Sequence, residues 1–261
     1  MNAAAWKAIP PLIIAALALF LWHAVVVLND IPPYILPSPL AVLHSLIDDR
    51  AILLPSLLIT LKITALALLA ALVGGVALAI LFAQSRLIEI SLFPYAVILQ
   101  VTPIVAIAPL ILVYVPDTTT ALLICAWIVA FFPILSNTTL GLNSVDRNLI
   151  DLMKLCGATR WQMLWHLRLP AASPYFLAGL RIAGGLSLIG AVVAEFAAGA
   201  GGTSSGLAYR ILEAGYRLNI PRMFAGLALI STAGIAIYAS TSLISYLALR
   251  RWHESQVRLG D

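Results

Sequence analysis

The sequence predicts an all-α fold: a polytopic membrane protein with six transmembrane helices and one ordered loop between the fourth and fifth. Three observations predict it. Apolar residues make up 62 % of the 261 residues and charged residues only 10 %, with a mean hydropathy of +1.03, whereas a soluble domain carries about a quarter charged residues to face water. Six apolar runs each reach the ~20 residues that a helix needs to cross a bilayer. Lysine and arginine gather in alternate connections between those runs, the bias that orients a membrane chain.

The first run, 11–28, follows Lys7. It is longer than a cleavable signal core and no small-x-small site follows it, so it reads as a retained helix. The others are 57–82, 90–115 (interrupted by Pro103 and Pro109), 119–140, 175–198 and 223–249. As helices, all of them hide their backbone groups from hydrocarbon. With the N-terminus inside, the inner segments carry Lys7, Arg86, Arg147, Lys154, Arg160, Arg168, Arg250, Arg251 and Arg258. The outer segments carry Arg50, Arg210, Arg217 and Arg222. Six spans then put both termini in the cytoplasm. Lys62 and Arg181 read as lying near helix ends, from which long side chains snorkel to water. The chain divides into 1–52, the first span with an outer segment; 53–249, the remaining transmembrane domain; and 250–261, a cytoplasmic tail.

In the outer segment, Pro32, Pro33, Pro37 and Pro39 force an extended path. Leu40, Leu43, His44, Leu46 and Ile47 then repeat at helical spacing, which fits a short amphipathic helix at the interface. Gly199, Gly201, Gly202 and Gly206 read as a turn outside the membrane.

The inner loop, 143–174, carries the strongest local signals. Ser144 is placed to cap a helix whose first turn holds Asp146. Leu149, Leu152, Met153 and Cys156 line one face, and Gly157 suits the left-handed end of that helix. Thr159 with Gln162 makes a capping-box pattern for a second helix. Trp161, Leu164, Trp165 and Leu167 form its apolar face, Pro170 stops it, and Ser173-Pro174 opens the next span. Helix, glycine turn, helix with an apolar face fits either a hairpin resting on lipid or a segment docked into a partner's groove.

Asp151-Leu152-Met153, Gly157 and Leu167-Arg168-Leu169-Pro170 resemble the signature loop of binding-protein-dependent ABC importer permeases. That signature is Glu-Ala-Ala, three residues, Gly, nine residues, Ile-x-Leu-Pro. The glycine, the gap and the Leu-Pro match; Asp151 replaces Glu, larger residues replace the alanines, and Leu167 takes the Ile position. Leu36-Pro37-Ser38-Pro39, the spacing of Pro103, Ala106, Pro109 and Leu110, Gly179-Leu180-Arg181 and Ala194-Glu195 are similar to the nitrate, sulfonate and taurine permease subfamily. Val115-Pro116 stands where those relatives place a glycine. The resemblance implies a type I importer permease of the bacterial inner membrane. Its partners would be a second permease copy, a separate ABC ATP-binding subunit and a periplasmic substrate-binding protein. Asp151, Met153, Gly157, Ala158, Trp161, Leu167, Leu169 and Pro170 would form the coupling loop. The solutes implied are sulfonates, nitrate or a thiamine-pyrimidine precursor. The sequence holds no Gly-x-x-x-x-Gly-Lys-Ser/Thr phosphate loop, so the chain is expected to be a transport subunit, with ATP hydrolysed on another polypeptide.

Within the spans, Glu195 either bonds to a neighbouring helix or lines the outer gate of the solute path. Gln100 and Thr102 flank the proline break and are candidates to line that path. Gly74, Gly75, Gly184, Gly185 and Gly190 are expected at close helix contacts. Arg210, Arg217 and Arg222 read as contacts for an acidic face of the binding protein, as attractors of an anionic solute, or as solvated charges. Cys125 and Cys156 have no metal-ligand spacing, and nothing points to a metal, cofactor or nucleic acid. The competing class is an ion-coupled secondary transporter, which would place paired acids or broken helices in two related halves; Glu195 alone is available. A membrane enzyme would need a cluster of titratable groups in the spans.

Overall fold

The computed structural model describes residues 3–199 and 205–250, all of the ordered elements helical. In chain order these are α1 (Ala3–Leu28), α2 (Pro39–Asp48), α3 (Arg50–Gln84), α4 (Arg86–Val101), α5 (Ile104–Tyr114), α6 (Thr118–Asn143), α7 (Arg147–Leu155) and α8 (Arg160–Met163). A π-helical turn, Leu164–Arg168, leads into α9 (Leu169–Ala198), followed by α10 (Leu207–Tyr216) and α11 (Ile220–Leu249). Among the described residues five helical stretches are long and apolar enough to span a membrane. α4 and α5, bent by 100° at their junction, together make a sixth. The break falls at Pro103. Thr102 before it is extended (φ −73°, ψ 124°), as the proline ring requires of its predecessor, while Pro109 is carried inside α5.

The chain forms two compact units: Met1–Leu58 with Gly201–Ser231, and Ile59–Ala200 with Thr232–Asp261. In the first, Ser38 caps α2 by accepting the Ala41 N–H, with Pro39 at the first helical position. Leu53, Leu207 and Ala225 form a small core with Val42, Leu46 and Ile230 packed on it. Trp22 stacks at 5.7 Å on Phe224. The segment expected as a plain outer loop contains α10, whose Leu207, Ala208, Ile211 and Ala214 are buried. Gly206 opens α10, and Gly201 and Gly202 lie outside the described residues.

In the second unit α6 and α9 are the central pair, and glycines set their separation. A Cβ on Gly141 would lie 2.8 Å from the Ala172 Cα, one on Gly179 2.8 Å from the Pro133 carbonyl, and one on Gly190 2.8 Å from the Ala126 Cα. Gly75 does the same for α3 against Ile134. Gly75, Gly184 and Gly190 are therefore at close contacts as expected. Gly185 has nothing within 4 Å, because it lies off the contact faces, and Gly141 and Gly179 take the role instead. α4 and α5 pack against α6, and Phe82, Phe93, Phe131 and Ile134 help fill the larger core.

Three local expectations are corrected. Ser144 closes α6, its hydroxyl donating to the Gly141 carbonyl, and Asp146 caps α7 instead. Pro170 does not stop a helix and Ser173-Pro174 does not start one; both are internal to a continuous 160–198 stretch. The π turn explains why. The Leu169 N–H reaches back five residues to the Leu164 carbonyl, and this widened turn accommodates the Pro170 ring, which a regular helix would drive into the preceding carbonyl. Arg181 is not at a helix end. It lies twelve residues after Leu169 and seventeen before Ala198, roughly 18 and 26 Å along the axis.

Candidate functional site

The 143–174 loop is built almost wholly by short-range hydrogen bonds. Asp146 accepts the Asn148 N–H at 2.8 Å, and Asp151 pairs with Lys154 at 2.9 Å on the exposed side of α7. Gly157 adopts φ +72°. Its N–H donates to the Lys154 carbonyl, and the Ala158 N–H donates to that of Met153. This pair of bonds is the Schellman ending, which needs a left-handed residue after the cap. Thr159 and Gln162 complete the capping box, each side chain accepting the other's backbone N–H. The turn therefore brings Gly157 and Ala158 onto the end of α7 beside Met153 and Lys154, with Asp151 paired to Lys154 on its exposed side.

The apolar faces are only partly as the periodicity suggests. Met163 and Leu164 are buried and Leu167 and Leu169 half-buried, whereas Trp161 and Trp165 are 61 % and 64 % exposed. The π turn adds a residue and rotates the backbone beyond it, so the four expected face residues do not stay on one side. Leu149, Leu152 and Leu155 on α7 are exposed too. An apolar surface of leucine and tryptophan is thus held on a rigid turn.

That turn is tied to the end of α3. Arg168 donates to the Ala83 carbonyl at 2.8 Å and Arg160 to that of Gln84 at 3.5 Å. These carbonyls have no acceptor role left within their own helix, and cations at a helix C-terminus are favoured by its dipole. A cavity of about 390 Å³ lies beside them, lined by Ile150, Lys154, Ala158 and the two arginines among others. Sequence pattern does not disclose this clamp, because the partners are 76 and 85 residues apart.

Gln100 and Thr102 line a cavity of about 350 Å³ at the α4–α5 break, together with Pro103, Ile128 and Pro133. The Thr102 hydroxyl donates to the Ile98 carbonyl at 2.6 Å. Glu195 is not in that lining. It is 2 % exposed, on the part of α9 that contributes Ala191 and Ala194 to a second core, and it accepts the Thr60 hydroxyl at 2.7 Å. Thr60 and Thr64, one turn apart and both buried on α3, are the sequence signal for this contact. No group of three or more His, Cys, Asp or Glu able to hold a metal occurs among the described residues.

Arg210, Arg217 and Arg222 each find an acid. Arg210 and Arg217 pair with Glu213 at 2.9 and 2.8 Å, and Arg222 pairs with Asp49. The hydrogen bond from Arg210, aided by the charge of Arg217, holds the Glu213 carboxyl below its ordinary range, and the hydrogen bond from Arg222 does so for Asp49.

Spanning helices joined by a clamped helix–turn–helix loop define a membrane transport permease. Residues 71–258 match the family of binding-protein-dependent transport system inner membrane components, and the chain belongs to that family. It is 33 % identical over 234 residues (90 % of this chain, 94 % of the relative) to a probable ABC transporter permease protein of Haemophilus influenzae. It is 31 % identical over 225 residues (86 % and 88 %) to the formylaminopyrimidine transport permease of Halalkalibacterium halodurans. A taurine transport permease of Escherichia coli matches at 30 % over 249 residues (91 % and 87 %), in keeping with the subfamily resemblance. A crystal structure of an amino acid ABC transporter with histidines has the same fold (TM-score 0.64, 19 % identity, 80 % of this chain and 97 % of that one).

Proposed function

We propose that this chain is one of two permease subunits of an ABC importer in the bacterial inner membrane, with both termini cytoplasmic. The 147–170 segment would seat in a cleft of a separate ATP-binding subunit, and a periplasmic binding protein would deliver the solute to the opposite face. The observation that carries this reading is the loop itself. Trp161, Trp165, Leu149 and Leu152 are exposed on a turn locked by the Gly157 ending and the Thr159–Gln162 box, and Arg168 and Arg160 fasten that turn to α3. A displacement of the loop by the partner would thereby reach a spanning helix directly. Nothing in this role asks any residue to act as an acid, base or nucleophile. ATP binding and hydrolysis on the partner would move the loops, and the spans would switch which side is open. Gln100 and Thr102 at the broken span are the proposed path-lining groups, and Glu195 a fixed polar contact between α3 and α9.

Solutes named for the relatives, formylaminopyrimidine and taurine, support a small organic or inorganic solute. The test is co-purification with the ATP-binding subunit. Trp161→Ser with Trp165→Ser should abolish capture of that subunit and solute-dependent ATP hydrolysis while the permease's own melting temperature is kept. Undiminished capture by the double variant would overturn the docking assignment.

A further inference from the structure

α9 presents two packed faces. Gly179 and Gly190 meet α6, whereas Gly184 and Leu188 meet α11: a Cβ on Gly184 would lie 3.0 Å from Ile237, and one on Gly234 would lie 3.4 Å from Leu188. Arg181 stands three residues before Gly184 and seven before Leu188, on the α11 side. Its guanidinium carbon lies 5.9 Å from the centre of the Tyr238 ring. Its Nε is shut off from solvent with no hydrogen-bond partner, and no acid pairs with it among the described residues. Glu195, the acid of this helix, is fourteen residues away, about 21 Å along the axis, and is engaged by Thr60.

A guanidinium offers N–H donors and a positive charge but no acceptor. The tyrosine ring face attracts it but brings no net charge. In a poorly screened site the group that satisfies it is an anion able to accept two parallel N–H bonds. Tyr238 is 57 % exposed, so no described part of this chain closes that side of the pair. Lipid phosphate offers the same chemistry, and Arg181 lies six residues, about 9 Å, inside the 175–198 apolar run, so the reactivity of a thiol placed there is what separates lipid from an aqueous path. Cations set in a span and left without an acid mark solute pathways as a class.

We infer that Arg181, with Tyr238 beside it, binds the oxyanion group (carboxylate, sulfonate or nitrate) of the solute as it crosses. This rests on the permease reading above and narrows its solute to an anion.

The test uses the permease assembled with its ATP-binding subunit in nanodiscs. In a Cys125→Ala, Cys156→Ser background, Arg181→Cys should react with an aqueous sulfonate-bearing thiosulfonate, and millimolar nitrate or ethanesulfonate should protect it. A thiol that stays unreactive places the side chain against lipid or a second copy and overturns the inference. In binding titrations, ethanesulfonate should bind wild type and the neutral isostere ethanesulfonamide should not. Arg181→Gln should weaken anion binding about 10- to 100-fold, the loss of charge-assisted hydrogen bonds, and Arg181→Lys should fall between, since it keeps charge but not the fork. Equal binding of both isosteres, no anion binding by wild type, or unchanged binding by Arg181→Gln each overturns the inference. Retention of the ATP-binding subunit is scored on the same samples: its loss from wild type sinks the permease reading, while intact assembly with charge-independent binding sinks the Arg181 assignment alone.

Discussion

Replacing Gly190 by alanine isolates the contact that holds α6 to α9. The added Cβ would stand 2.8 Å from the Ala126 Cα and 3.5 Å from its carbonyl oxygen, with the Val129 side chain at 3.4 Å. Carbon atoms rest at roughly 3.5–4.0 Å, so the helices must part by about 1 Å at this point, and the close neighbour is backbone, which cannot rotate away. Overpacking of this kind costs about 1–3 kcal/mol. Alanine also returns roughly 0.5–1 kcal/mol of helix propensity, which would blur the reading. Gly185→Ala removes that ambiguity: it gains the same propensity five residues away, with nothing within 4 Å of the new methyl. The propensity contribution cancels between the two, and the difference in unfolding free energy should be about 1–3 kcal/mol, Gly190→Ala the less stable. The assay is denaturant titration of both variants in one detergent, followed by tryptophan fluorescence. Equal midpoints with equal slopes would refute the close approach of α6 and α9.

Single contacts give two further expected outcomes. Thr60→Val removes a donor to the buried Glu195 side chain and should destabilise the permease by about 1–3 kcal/mol, with Thr60→Ser near wild type; a silent Thr60→Val would mean that the Thr60 contact does not hold Glu195. Asp49 and Glu213 both titrate below their ordinary values of 3.8 and 4.5, the hydrogen bonds from Arg222 and Arg210 being the largest cause. A carboxylate whose folded value is depressed contributes stability above its unfolded value and loses it as pH falls through the folded one. Melting temperature should therefore be flat from pH 7 to 5 and fall below about pH 4, and Asp49→Asn should remove part of that acid-dependent slope; an unchanged slope would count against the Arg222 contact.

What the sequence discloses depends on how far apart the partners lie. The Thr159–Gln162 box and the Gly157 ending each involve residues within five positions, so type and spacing suffice. The six apolar runs were equally legible, since hydropathy needs no partner at all. α10 was hidden because Arg210, Glu213, Tyr216 and Arg217 give it the composition of a loop, although Leu207, Ala208, Ile211 and Ala214 carry a helical period. The Arg168–Ala83 clamp and the Thr60–Glu195 bond join residues 85 and 135 positions apart, which no local pattern encodes. The contrast between Gly185 and Gly190 has the same origin: both are glycines in one helix, and only the face of α6 decides which one is needed. The π turn was invisible because its cause, the Pro170 ring, reads locally as a helix stop.

Gly157 tests whether the loop's role rests on its backbone shape or on its surface. A side chain at this position would meet nothing within 4 Å, so any effect must come from φ, which at +72° is disfavoured for residues with a Cβ by roughly 1–2 kcal/mol. Asparagine visits this region more readily than other side chains, and valine is among the worst suited to it. Gly157→Asn should therefore keep the ATP-binding subunit and transport, although it adds a larger side chain than alanine would. Gly157→Val should swing α7 away from Thr159, lose the Ala158–Met153 bond, and release the subunit, while the melting temperature of the spans changes little because the α6–α9 contacts are untouched. Asparagine and valine are close in volume, so a better result with asparagine reports conformation rather than size. If both variants retained the subunit equally, the left-handed turn would be incidental, and the docking of α7 with Trp161 and Trp165 as one rigid surface would have to be abandoned.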